Sequence, residues 1–481
     1  MATFSETRVT AQSLIVVPPS GDMTGVTDAN NIEAALLSVS PGGGVELLAG
    51  HFYISRSILV PGFSGIFKGA GKHDTIIEAV RMGPGVGEGF GLGDSPYGPI
   101  PYLFLFMEPG ENLTIEDLTL QVLHPTPCDP YPSPLFPGPG RTALSNLLMS
   151  FGSNSHTVVM NIRMRGDTGE LFGRNLGFAF MGNGMEGEGE TTIESCDIEN
   201  CVYGLDISRG VNYSAYIEDN YLFNLRTGIW IGFLQNSSIA IERNEIEGGI
   251  VQGIFLRGPS DASITGNTFK DFAGPGVPWR GPIVLWRDSH ESFVAGNTFI
   301  NIQGAGAAIC VNTRENTLLF NDYRQSNLPG WMDTHPDGPG CVIFFGMTEG
   351  NVVAECLFPD GTTTSDQIRD LTDNPGTPEY DGRNMILTCS ESLIFLINEL
   401  LSEVERLVDE GKLNHGQGNS LVVKLEGALK QLENGKSQAA CNKLGAFINE
   451  VNAHIRSGKL FLEDVALLIE GAGIIKTSLC G

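Results

Sequence analysis

Between Thr191 and Tyr323 the apolar positions recur in one short pattern, as in Ile193-x-x-Cys196-x-Ile198, Ile217-x-x-Asn220-x-Leu222 and Ile241-x-x-Asn244-x-Ile246. It continues as Ile264-x-x-Asn267-x-Phe269, Val294-x-x-Asn297-x-Phe299 and Leu318-x-x-Asn321-x-Tyr323, at a spacing that is mostly 24 residues. A second apolar run lies in each interval, with Leu205 and Ile207, Ile229 and Ile231, Ile254 and Leu256, Ile283 and Leu285, and Ile309 and Val311 at alternate positions. Alternation over a few residues between turn residues predicts strands rather than helices. Several strands per repeat at this period predict a parallel β-solenoid, in which each coil buries its inward side chains against the coils on either side.

The asparagines set the register. Asn220, Asn244, Asn267, Asn297 and Asn321 fall in one column, which the same pattern extends to Leu118, Ile162 and Cys196 on one side and Cys356 on the other. Asn tolerates left-handed turn geometry, and its amide can bond to its counterpart one coil away, roughly 4.8 Å distant. The expected role of the column is structural.

Ahead of the repeats, Asp28 to Val39 predicts an amphipathic helix with Ile32, Leu36 and Val39 on one side and Asp28 as N-cap, placed to cover the open first coil. The run Gly21-Asp22, Asn31 to Leu36, Gly42 to Val45, Ala49 to Ile54 and Lys68 to Gly71 resembles the N-terminus of the pectin-lyase-like, right-handed parallel β-helix superfamily. With the repeats, the resemblance covers residues 18–358. It implies that fold, and a superfamily of lyases, glycoside hydrolases, epimerases, tailspikes and adhesins.

After Asp360 the composition changes to a Thr-, Asp- and Pro-containing linker and then to helical periodicity. Leu393, Ile397, Leu400, Val404 and Leu407 make one stripe, Leu421, Leu425, Leu429 and Leu432 a second, Leu444, Phe447, Ile448, Val451 and Ile455 a third, and Leu462, Val465 and Ile469 a fourth. Gly411 to Asn414, Gly416 to Leu421 and Ala439 to Asn449 are similar to FIMAH-type domains, which implies a secreted, multidomain setting. The expected organisation is an N-terminal extension (1–17), an all-β right-handed parallel β-helix with a capping helix (18–358), a linker and last strand (359–388) and a small all-α bundle (389–481).

Charge narrows the partners. The net charge is -27, of which the helical segment from Cys389 onward carries -3, leaving -24 on the rest. Such a surface repels nucleic acid and anionic membranes, and no segment is apolar enough over its length to insert into a bilayer. Nine cysteines include no metal-type CxxC pair, and Cys441 is a candidate for bridging to Cys389 or Cys480. The beginning Met-Ala-Thr-Phe-Ser-Glu shows no secretion signal, yet the resemblances point to a secreted or cell-surface protein.

Four long irregular segments, Arg81–Pro101, His124–Arg141, Gly166–Glu190 and Arg324–Gly340, with a shorter one at Phe272–Gly281, interrupt the coils. All but the first follow the same strand of the coil, which gathers them on one edge, where a binding face is expected. The adjoining strand would turn Asp206, Trp230, Phe255, Val284, Cys310 and Ile343 outward. Trp230, Phe255, Trp279, Trp286 and Asp206 are therefore candidate substrate-binding residues, with aromatic rings as sugar-stacking surfaces. Beyond that strand lie Arg209, Arg257, Arg287, His290 and Arg314. Arg287, Arg257, Asp288 and His290 are the candidate catalytic groups, because lyases of acidic sugars use a cationic or basic side chain beside the carboxylate. Glu194, Glu218 and Glu242, stacked 24 apart, are candidate ligands for Ca2+. The Arg-x-Pro-x-x-Arg set of pectate lyases and the Asn-Thr-Asp, Asp-Asp and Gly-His-Gly set of polygalacturonases do not occur. Two functions follow: a polysaccharide- or cell-surface-glycan-binding or processing protein, or a non-catalytic rod that self-assembles into an oligomer or filament.

Overall fold

The computed structural model describes residues 14–80, 102–122, 145–358, 368–370 and 384–479, with breaks inside these ranges, the longest at 167–174, 182–188, 273–280 and 327–340. Its strands form three long parallel sheets of 13, 10 and 11 strands, here sheets A, B and C, each ordered along the axis as along the chain. One coil runs from sheet A through a tight turn to sheet B, on to sheet C, and back to sheet A one level higher. Val159, Ile193, Ile217, Ile241 and Ile264 line up strand by strand on the inner face of sheet A and are fully buried. Inside sheet B the rings of Phe269, Phe299, Tyr323 and Phe358 form a stack with centroids 5.1, 4.7 and 6.0 Å apart.

The turn from sheet A to sheet B is locked by the asparagine column. The Asn244 amide nitrogen donates to Asn267 Oδ1 (2.9 Å) and to the Ile217 carbonyl (2.9 Å), while its Oδ1 accepts from Asn220 Nδ2 (2.9 Å) and the Asn220 backbone N–H (3.1 Å). Those four bonds use the full capacity of an amide. The left-handed residue is the one before each asparagine, namely Asp219, Arg243, Gly266, Gly296 and Phe320, and not the asparagine itself. The column ends on Glu355, one position before Cys356. There the carboxylate takes the Asn321 backbone N–H and side-chain amide, both at 2.6 Å, from the place along the turn that Phe320 holds in the coil before.

Other expectations are corrected. Asp28 lies within helix α1 (Val26–Ser38), whose N-cap is Gly25, and its buried carboxylate accepts from the N–H groups of Ser20 (2.8 Å) and Tyr53 (2.9 Å), tying the helix to the first coil. The segment expected to be irregular from Gly166 to Glu190 contains a sheet C strand, Asn175–Met181. The first long irregular segment follows the sheet B strand Thr75–Ala79, so it leaves from the same corner as the others. In sheet C, Ala308 and not Cys310 is the register partner of Val284.

The C-terminal segment forms helices α2 (Cys389–Asp409), α3 (His415–Glu433) and α4 (Ser437–Arg456). Capping boxes start the first two, at Thr388 with Glu391 and at Asn414 with Gln417. Their core, including Leu396, Leu400, Leu425 and Phe447, is continuous with Ala295, Leu319, Phe320 and Ala354 on the outside of the last coils. Cys441 is disulfide-bonded, while Cys196, Cys201 and Cys341 are buried thiols.

Two predictions follow from the column. Asn267→Ala removes both acceptors and both donors of one amide, and at roughly 1–3 kcal/mol per buried group left unpaired it is expected to cost about 3 kcal/mol by chemical denaturation. Thr268→Ala, on the outer face, is expected to stay within about 0.5 kcal/mol. Glu355 is fully buried, and burial raises its carboxyl from 4.5 to about 8 against the pull of the Asn321 and Tyr323 hydrogen bonds. Because the folded chain keeps this proton longer than the unfolded chain, the contribution is whole below pH 4.5 and is lost as pH rises to about 8. Wild type should lose up to about 1.4 kcal/mol per pH unit relative to Glu355→Gln across that window; parallel stability curves for the two proteins would refute the assignment.

Candidate functional site

Sheet C carries an outward row whose members are strand neighbours: Asp206 beside Trp230, Trp230 beside Phe255, and Phe255 beside Val284, and the backbone register continues through Ala308 and Ile343. Two residues along, Ser208, Gly232, Arg257 and Trp286 are aligned in the same way. The Trp230 and Phe255 rings stack at 4.4 Å and 17°, and the Trp286 ring tilts against Phe255 at 6.4 Å. The indole of Trp230 extends over Gly232, where a Cβ would come within 2.7 Å of Nε1. Tyr203 meets Trp230 edge-on at 5.6 Å. Burial raises its phenol above the usual range, with Arg226 opposing the shift and Asp206 adding to it. The lower end of the row is thus polar and charged.

Phe255 is 5% exposed and Val284 fully buried. With its ring stacked on Trp230, Phe255 leaves no surface for a sugar, which corrects its expected part: it supports Trp230 and Trp286, the partly exposed members. Asp206 lies where expected, next to Trp230 in the row. Trp279 lies outside the described residues.

The chain leaves Trp286 through a turn in which Arg287 (φ 35°), Asp288 (φ 65°) and Glu291 (φ 55°) are all left-handed. Consecutive left-handed residues other than glycine cost roughly 1–2 kcal/mol each and need support from their surroundings. Ser289 gives it: fully buried, its hydroxyl lies 3.0 Å from the Trp286 carbonyl and 3.2 Å from that of Leu256, and its own carbonyl accepts from Asn316 Nδ2 at 3.2 Å. The turn thereby holds Arg287 and Asp288 in solvent, the guanidinium 6.0 Å from the Trp286 ring centroid. Arg257, partly exposed, is the strand neighbour of Trp286. His290 pairs with Arg314 across coils, and its buried Nδ1 makes no hydrogen bond, with Glu291 Oε2 at 3.4 Å. Arg257 and Arg287 therefore lie beside Trp286, with Asp288 and His290 in the turn that follows it.

The glutamate column stands apart, on sheet A. Glu194, Glu218 and Glu242 are strand neighbours, as their spacing predicts. Arg243 answers them: its guanidinium bonds to Glu242 (2.8 Å), Asp219 (3.1 Å) and Glu218. Among the described residues no three His, Cys, Asp or Glu side chains converge as a metal site, and Glu218 and Glu242 of the expected Ca2+ ligands are ion-paired to Arg243. Tyr203, Gly232 and Ser289 are missing from the sequence-based set. Alternation hides Tyr203, which has the parity of inward Leu205; nothing in the sequence marks Ser289.

Gly232→Ala is expected to push the Trp230 indole off Phe255, since the added methyl meets a side chain that can rotate. Loss of the near-ultraviolet circular dichroism of that ring pair, with unchanged far-ultraviolet signal, is the measurement.

Residues 182–358 match the family model described as right handed beta helix region, and residues 397–472 match that of the FIMAH domain. No curated protein sequence matches the chain. Among solved structures, it is similar to the Agl-KA catalytic domain at 11% identity, covering 78% of this chain and 66% of that one, with a TM-score of 0.41. It is also similar to a lacto-N-biosidase from Eubacterium ramulus (12%, 78% and 68%, 0.41) and a DFA-IIIase from Arthrobacter chlorophenolicus A6 (11%, 77% and 96%, 0.43). The chain spans about two thirds of the length of the first two. TM-scores this low carry no argument about substrate or reaction. The protein is a right-handed parallel β-helix followed by a FIMAH domain.

Proposed function

We propose that the outer face of sheet C binds a polysaccharide, with Trp230 and Trp286 as stacking surfaces and Arg257, Arg287, Asp288 and His290 as the polar groups that meet the chain. The observation that carries this is the strained turn after Trp286, which holds a cation and a carboxylate in solvent beside an aromatic row. A flat indole offers its face to the C–H groups of a sugar ring, and Arg and Asp supply donors and acceptors for hydroxyl or carboxyl groups. The same turn sets a carboxylate, an imidazole and a guanidinium within five residues, the groups that a lyase or hydrolase would use for proton transfer and charge stabilisation. The disulfide at Cys441 supports a secreted or cell-surface setting.

Affinity electrophoresis through gels containing soluble polysaccharides, with reducing-end and unsaturated-product assays alongside, tests this. Trp230→Ala combined with Trp286→Ala is expected to weaken retardation by soluble polysaccharide at least tenfold. Asp288→Asn is expected to leave binding within about threefold while removing any turnover by 100-fold or more, the size typical of a lost general acid or base. Retardation unchanged by the double substitution would move the site elsewhere.

A further inference from the structure

Sheet B presents a separate face that shares no residue with the one just described. On its strand Tyr221–Phe223 both outward side chains are aromatic, their rings parallel to within 9° with centroids 6.2 Å apart, and Tyr221 is 37% exposed. Register places an acidic rung on either side, Asp197 and Glu199 below and Glu245 and Glu247 above. Three of the four carboxylates are held by cations: Asp197 by Lys72 (3.1 Å), Glu199 by Arg163 (2.6 Å) and Arg165 (2.8 Å), and Glu245 by Lys270. Glu247 differs. Among the described residues no cation lies within ion-pair distance of it, and its Oε2 accepts from the Tyr221 hydroxyl at 3.0 Å.

We propose that Tyr221, Phe223 and Glu247 form a second glycan-binding site, one that takes an uncharged, hydroxyl-rich chain. Two aromatic rings standing side by side on a solvent-facing sheet offer the apolar surface that the C–H side of a pyranose ring covers, at a gain larger than either ring alone would give. Lys270, the strand neighbour of Glu247, is bonded to Glu245, so the Glu247 carboxylate keeps acceptor capacity for sugar hydroxyls and disfavours an anionic sugar. The nearby cations do not change this, because each is already bound to one of the other three carboxylates. The local balance of four acids and four bases also leaves little field to attract a polycation, in spite of the chain's overall -27. Recognition is therefore by stacking and hydroxyl donation, and the two faces together make the rod bivalent toward glycans.

The test uses the intact chain, with isothermal titration against cellohexaose, laminarihexaose, maltohexaose and a hexamer of galacturonate, and sedimentation velocity in parallel. At least one neutral hexaose is expected to bind, and Tyr221→Ala with Phe223→Ala to weaken it tenfold or more, while Trp230→Ala with Trp286→Ala retains it. Glu247→Gln is expected to keep the neutral ligand and to admit the galacturonate hexamer. Tyr221→Phe, which keeps the ring and removes only the hydroxyl, should stay within about threefold and guards against misfolding of the alanine variant. No binding of any neutral hexaose, tighter binding of the galacturonate hexamer by the chain carrying Trp230→Ala and Trp286→Ala, or insensitivity to the Tyr221 and Phe223 substitutions would overturn the proposal. A shift of sedimentation coefficient in the double variant, with glycan binding unaltered, would make the pair an interface between copies of the chain instead.

Discussion

Each coil must place its strands directly above those of the coil below, because parallel pairing supplies backbone hydrogen bonds only at one spacing and in one register. The asparagine amides hold that register at the corner between sheets A and B, where every donor and acceptor of the amide is already bound to an adjacent coil or to the backbone. An inserted residue there would break four bonds at once. A second, shorter column does the same at the corner between sheets C and A, where Asn316 donates to Asn351 (2.9 Å) and Asn351 to Asn384 (2.9 Å). Among the described residues the corner between sheets B and C carries only isolated amide pairs, such as Asn224 to Asn200 (2.7 Å), and the long interruptions follow the strands of sheet B there. The chain varies at a corner that no continuous amide column holds.

That corner borders sheet C, which is why the aromatic row and the arginines are read together. The row is not an open shelf. Phe255 and Val284 are buried, and the surface that remains is made by Trp230 at one end and Trp286 with its strained turn at the other. Gly232 contributes by what it lacks, since the indole of Trp230 occupies the space of its missing side chain. Packing of this kind fixes ring orientation, so an incoming sugar would meet a surface that loses little rotational freedom on binding.

Much of this was legible in the sequence because identical residues recur at one interval. Asn220 to Asn321, the inward isoleucines and the outward Trp230 and Phe255 follow from spacing and parity alone. What failed was local. Glu355 takes over the asparagine's hydrogen bonds from one position earlier, the one that Phe320 holds in the coil before, while the column itself passes to Cys356. Asp28 has the residue type of an N-cap, but a glycine precedes the helix and the carboxylate is drawn to the Tyr53 N–H instead. The strand Asn175–Met181 has no Ile-x-x-Asn segment directly before it, so it looked like loop. For the site, parity locates the row but says nothing of ring stacking, and the 24-residue spacing aligns the glutamate column without showing which carboxylates Arg243 bonds.

The same column explains where the helical domain sits. The outward position held by Glu194, Glu218 and Glu242 passes, coil by coil, to Thr265, Ala295, Leu319 and Ala354. Carboxylates face solvent along the middle of the rod, and small or apolar side chains take over where α2 packs, so Ala295, Leu319 and Ala354 join the core of the helices. The left-handed turn position follows the same change, from Asp219 and Arg243 through Gly266 and Gly296 to Phe320. A phenylalanine at φ 49° is strained by roughly 1–2 kcal/mol, and burying its ring in the helical core returns about 2 kcal/mol or more. Docking of the helices therefore offsets the strain at Phe320. The last coils and the helical domain share one core, although sequence composition divides them with a linker.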